Sequence, residues 1–139
     1  MSTYELTVDH VEGDVMRTTT PSGHTFTMDS KAEPGGEGAT PLELLLAGIA
    51  GCSLIDVASI LSKKRVAFQD LKAHVKAERR EDYPRAFTRI ELVYEVQGDV
   101  PEKALHRACE LSVEKYCSVL ATVREGPEVS WRAEVGASA

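Results

Sequence analysis

Three cysteines, Cys52, Cys109 and Cys117, carry the reactive potential of this 139-residue chain. A thiolate is a strong nucleophile, whereas a buried thiol behaves as a small apolar filler. Cys52 sits inside the most apolar run, "LLLAGIAGCSLIDVASIL" from Leu44 to Leu61, directly after Gly51. At helical spacing Gly48, Asp56 and Ser59 share its stripe, which is small and polar, and that leaves room for a ligand or another backbone to approach the sulfur. Asp56, one turn on, would repel a thiolate, so a reactive Cys52 needs a positive charge nearby. Cys117, in "KYCSV", lies at the seam of two helical pieces. If "SVLATVRE" starts a new helix, the positive end of its dipole favours a thiolate there. Cys109 lies within an amphipathic helix and reads as filler. An odd count with no CxxC pair argues against a structural staple. Spacing alone does not decide whether Cys52 is filler or reagent, nor whether it meets Cys117.

Other chemistries find less support. His10, His24, His74 and His106 form no ligand pair at metal spacing, and no glycine-rich phosphate motif occurs, so neither metal nor cofactor is expected. His24 shares strand parity with Phe26 and Met28 and reads as a core histidine. Net charge is −6, and the 16 Lys and Arg are scattered, so nucleic acid is not an expected partner. The apolar run approaches the ~18–20 residues of a membrane span. Ser53, Asp56, Ser59 and two glycines within it favour a buried central helix instead, and no membrane association is expected. The start "MSTYELTVDH" lacks the basic and apolar regions of a secretion signal, which points to the cytoplasm, where resting disulfides are rare.

The elements that would position these groups are legible as periodicities. "YELTVDH", "DVMRTTT" and "GHTFTMD" read as three short strands joined by turns. "SKAEPGGEGATP", residues 30–41, reads as a flexible loop. Thr40, Pro41 and Glu43 form a capping box that opens a helix over 41–64. "LKAHVKAERR" and "TRIELVYEV" alternate with period two and predict a long hairpin across "REDYPR". "PEKALHRACELSVEKY" carries a helical stripe, "SVLATVRE" a further short helix, and "EVSWRAEV" a final strand. The length suits one domain, residues 1–139, and the order predicts an α+β fold with antiparallel sheets packed on a long helix.

Taken together, "TPLELLLAGIAGCSLIDV", "ERREDYPRAFTRIELVYEVQG" and "ELSVEKYCSV" resemble the OsmC/Ohr family of cysteine-based peroxide-reducing proteins, in its YhfA-like branch. The resemblance implies an intertwined homodimer whose sheets wrap the central helices, with sites at the subunit interface. It implies Cys52 as the attacking thiolate and Cys117 as the resolving thiol. Cys52 would reduce an organic hydroperoxide to an alcohol and become a sulfenic acid; Cys117 would condense with it to a disulfide, which a dithiol reductant reopens. Two departures stand out. The arginine of a "GRDG"-like loop is missing from "DHVEGD", and the glutamate of an "NPEQ"-like helix start is replaced by Leu42, with Glu43 one place later. Supporting candidates are therefore Glu43 and Arg79, the latter continuing the inward parity of Leu71, Ala73, Val75 and Ala77, with Arg17 and Arg80 as weaker alternatives. A second reading is a binding or carrier module whose interface pocket holds a small thiol or acid and whose cysteines form persulfides or mixed disulfides. A third makes both cysteines core fillers of a structural dimer.

Overall fold

Turn chemistry divides the first thirty residues into three antiparallel strands, β1 (Thr7–Glu12), β2 (Val15–Thr19) and β3 (Thr25–Met28), in the order β1-β2-β3. This computed structural model describes residues 2–31 and 34–136. His24 precedes β3 and is exposed, its Nδ1 3.0 Å from Ser22 Oγ, so the core-histidine expectation is corrected: the turn ends before the strand's alternation begins.

The loop that follows is fastened at both ends, although residues 32 and 33 lie outside the described residues. The buried Asp29 carboxylate accepts from the Ser30 amide at 2.7 Å and the Glu37 amide at 3.0 Å. Those two amides, the Glu37 one first, hold its pKa below the usual carboxylate value. Gly38 then passes so close to β3 that a Cβ would stand 2.1 Å from the Thr27 carbonyl oxygen.

The capping box forms as predicted. Thr40 Oγ1 accepts from the Glu43 amide at 3.2 Å and Glu43 Oε1 accepts from the Thr40 amide at 2.8 Å. It starts the 23-residue helix α1 (Pro41–Lys63), roughly 35 Å long at ~1.5 Å per residue. Ile49, Ser53, Val57 and Leu61 repeat every four positions, and all four are fully buried, so this stripe is the helix's inward face.

The two alternating segments pair as β4 (Gln69–Arg79) and β5 (Phe87–Gln97), with Ala73 opposite Tyr94, Val75 opposite Leu92 and Ala77 opposite Ile90. Period two puts these residues on one face, towards α1. Helix α2 (Glu102–Leu111) runs into a π-helical turn, Ser112–Tyr116, and Cys117 caps helix α3 (Ser118–Glu125).

Two apolar clusters divide the core along α1. Ile49, Cys117 and Leu120 form the first, with Cys52, Ile90, Leu92, Val113 and Val119 against it. Val57, Leu61 and Ala108 form the second, which Cys109, Leu105, Phe68 and Leu71 flank.

The expected final strand is corrected. "EVSWRAEV" joins no sheet among the described residues, and Val129, Trp131 and Val135 are 83%, 87% and 101% exposed. Its alternation suits a strand with one covered face, but among the described residues no strand pairs with it.

Candidate functional site

Helix α1 and the start of α3 bring together residues 65 positions apart. The Cys52 and Cys117 sulfurs and a carboxylate oxygen of Asp56 all lie within 4.8 Å of one another. Cys52 and Asp56 share a face of α1 because they are one turn apart. Cys117 arrives through the π-helical turn. Its amide donates to the Ser112 carbonyl at 2.8 Å across five residues, while its own carbonyl accepts from Ala121 and starts α3. The wide turn adds a residue relative to a continuous α-helix and turns the chain, so the thiol lies over α1.

Polar side chains hold this cluster in an otherwise apolar seam. Ser112 Oγ donates to Asp56 Oδ2 at 2.9 Å and lies 2.8 Å from Ser53 Oγ, which in turn is 2.5 Å from the Tyr94 hydroxyl. Ser53 and Ser112 are fully buried, so each hydroxyl has its partners inside the protein. The chain Tyr94–Ser53–Ser112–Asp56 spans β5, α1 and the π-helical turn and fixes the carboxylate beside the sulfurs.

Electrostatics at Cys117 are opposed. Burial pushes its thiol pKa up, and the contact with Cys52 pushes the same way, whereas the Leu120 and Val119 amides at the start of α3 favour the thiolate. Burial also raises the Tyr94 hydroxyl, which therefore stays protonated and available to the serine network.

A cavity of about 410 Å³ shares part of its wall with the apolar cluster that holds Cys117, although neither sulfur lines it. Its walls include Ile90, Leu92, Val113 and Leu120, which also pack around Cys117, and Arg89 and Arg124 contribute guanidinium groups. Arg124 is anchored, its Nη1 donating to the Val113 carbonyl at 2.9 Å.

The other candidates from the sequence sit elsewhere. Glu43 is committed to the capping box, nine residues before Cys52, about 13 Å away along a straight helix axis. Arg79 is exposed, with Nε donating to the Arg85 carbonyl at 3.0 Å at the hairpin tip. A break in register between Glu78 and Arg79 ends the alternation on which its inward parity rested. Arg17 and Arg80 are exposed, and Arg80 donates to the Pro84 carbonyl. Sequence reasoning missed Arg124, although its place seven residues after Cys117, two helical turns along, was a usable signal. It also missed the network of Ser53, Ser112 and Tyr94, which only the packing of three elements creates.

Comparison with known proteins matches residues 34–132 to the model of the OsmC-like protein family. Protein YhfA of Escherichia coli K12 is 39% identical over 132 residues, covering 94% of this chain and 97% of that protein. A crystal structure of a hypothetical protein from Aquifex aeolicus VF5 superposes with a TM-score of 0.81 at 38% identity, covering 96% of this chain and 100% of that one. An organic hydroperoxide resistance protein OsmC from Legionella pneumophila shares the fold at 18% identity and a TM-score of 0.64, covering 89% and 90% of the two chains.

Proposed function

The chain belongs to the OsmC-like family, and from that premise we propose that it is a thiol-dependent peroxidase for organic hydroperoxides. Cys52 is the attacking thiolate and Cys117 the resolving thiol. The single observation that carries this reading is the meeting of the two sulfurs, within 4.8 Å of each other and beside Asp56.

The Cys52 thiolate attacks the distal oxygen of R–O–OH and the O–O bond breaks. The sulfur becomes a sulfenic acid, and the departing alkoxide takes a proton to leave as the alcohol. The Cys117 sulfur then attacks the sulfenic sulfur, forming the S–S bond and releasing water. An external dithiol reduces the disulfide and becomes a disulfide itself.

The cavity that shares Ile90, Leu92, Val113 and Leu120 with the Cys117 cluster has apolar walls, which suits an organic R group better than hydrogen peroxide. In this reading Arg124, on the cavity wall, supplies a positive charge to a bound hydroperoxide in place of Arg79.

In this reading the working unit is a homodimer. Only 28% of the most apolar 18-residue window of α1 is buried, and Ile55 is 72% exposed although the helix is long and apolar enough to cross a membrane. The family resemblance implies a second copy over this face, with the segment around Trp131 as a further contact. We place the protein in the cytoplasm, where a dithiol reductant is at hand and unpaired thiols persist.

The test is steady-state consumption of cumene hydroperoxide by the reduced protein with dithiothreitol. The expected result is turnover that exceeds the rate with hydrogen peroxide and disappears in Cys52→Ser. A rate equal to that of an ordinary free thiol would overturn the peroxidase. Tight retention of a small thiol or acid without turnover would select the carrier reading in its place.

A further inference from the structure

We propose that the reduced cluster of Cys52, Asp56 and Cys117 is a binding site for a borderline-soft divalent cation of the Zn²⁺ class. Two sulfurs and one carboxylate oxygen supply three ligands from two elements, all within 4.8 Å of one another. A tetrahedral ion with Zn–S near ~2.3 Å and Zn–O near ~2.0–2.2 Å needs ligand atoms roughly 3.5–3.8 Å apart. The 4.8 Å limit leaves at most about 1.3 Å to close to that spacing. The absence of a histidine pair or CxxC in the sequence hid the site, because its ligands come from one helix turn and from a residue 65 positions on.

The surroundings are those of a supported site. Ser112 Oγ donates to Asp56 Oδ2 at 2.9 Å, and Ser53 and Tyr94 continue the chain behind it, so the carboxylate is oriented from outside the cluster as ligating carboxylates commonly are. Cys117 is buried and Cys52 half-buried, which limits competition from water. Asp56 also lines a second cavity of about 430 Å³ with Ser59, Lys63, Lys64 and Tyr116, so the carboxylate is reached from a space that two lysines border. Among the described residues no fourth His, Cys, Asp or Glu joins the group, which leaves the remaining position of the tetrahedron to water.

Ligand type sets the selectivity. Two thiolates disfavour Mg²⁺ and Ca²⁺, which take oxygen ligands, and favour Zn²⁺ or Co²⁺. On binding, the two thiol protons pass to solvent and each sulfur forms a bond to the ion; no electron transfer is involved. Disulfide formation uses the same two sulfur electron pairs, so the bound ion and the Cys52–Cys117 disulfide exclude each other. The ion would shield the thiols from oxidation, and oxidation would release it.

The inference shares residues with the peroxidase reading and stands without it. Titration of the reduced, metal-free protein with Co²⁺ tests it, read as sulfur-to-metal charge transfer in the near ultraviolet and as visible bands of tetrahedral strength. The expected result is one Co²⁺ per chain, displaced by Zn²⁺, with both signals unchanged in Cys109→Ser. Cys52→Ser loses much of the charge-transfer intensity, and Ser112→Ala weakens binding about tenfold. Asp56→Asn weakens it at least as much. Wild-type protein previously oxidised to the disulfide, which involves no substitution, binds no Co²⁺. Absence of charge transfer in the reduced protein, or unchanged affinity in Asp56→Asn, would overturn the site. A chain that binds Co²⁺ in this way and consumes no peroxide would sink the peroxidase alone, and active peroxidase without charge transfer would sink the metal site alone.

Discussion

Helix α1 packs against one cysteine-bearing cluster in each half, and the two differ in what surrounds the sulfur. Towards its C-terminal end, Cys109 joins Val57, Leu61 and Ala108, and its thiol pKa is pushed up by burial alone. Towards its middle, Cys117 joins Ile49 and Leu120, and burial pushes its thiol up as well. There, however, the Leu120 and Val119 amides oppose that shift, Cys52 stands within reach, and a carboxylate held by two serines and a tyrosine borders the pair. Burial by itself makes a cysteine a filler. A reagent needs groups that favour its thiolate, a partner sulfur and fixed polar neighbours in the same buried place.

Exchanging the sulfurs one at a time tests this contrast most severely. Cys52→Ser is expected to reduce peroxide turnover on the order of 10³-fold or more, since an alcohol replaces the nucleophile. Cys109→Ser is expected to leave kcat/KM within about twofold, because its cost falls on packing. Steady-state assays of the two variants side by side measure the difference. Equal losses would erase the distinction between the clusters.

A second contrast concerns stability. Leu61 is fully buried in the apolar cluster and nine residues from Cys52 along α1, so Leu61→Ala is expected to lower unfolding free energy by about 2–5 kcal/mol. Denaturant melts read that loss. The folded fraction of the variant should still turn over peroxide at the wild-type rate per site.

Ser112→Ala is the gentlest change and sharpens the comparison on the reactive side. It removes the donor to Asp56 and a partner of Ser53, both inside the protein, and is expected to cost about 1–3 kcal/mol. It is also expected to slow disulfide formation measurably, by loosening the carboxylate beside the sulfurs. Thermal melts and stopped-flow oxidation check the two effects, and a stability loss with unaltered oxidation kinetics would confine Ser112 to a packing role.

Much of the fold was legible because its signals are local. Alternation in "LKAHVKAERR" and "TRIELVYEV" placed β4 and β5, and the Thr40–Pro41–Glu43 box placed the start of α1. The α+β order and the kinship with OsmC-like proteins were legible in the same blocks. Non-local features were harder to read. The register break at Glu78 and Arg79 is set by pairing across the hairpin, so parity alone carried Arg79 to the wrong side. The segment around Trp131 shows a strand's alternation but has no strand beside it among the described residues. Ser53 and Ser112 interrupt apolar stripes without announcing that they meet. The approach of Cys52 to Cys117 depends on how α3 is turned by the π-helical segment, which no pattern in the sequence reports.

The central claim is that Cys52 and Cys117 act as a pair and Cys109 stands apart. Its most direct measurement is peptide mapping by mass spectrometry after one equivalent of an organic hydroperoxide is added to the reduced protein. The account predicts a Cys52–Cys117 cross-link in nearly every chain, with Cys109 still open to alkylation after unfolding. A cross-link that includes Cys109, or recovery of all three cysteines as alkylated thiols, would contradict it.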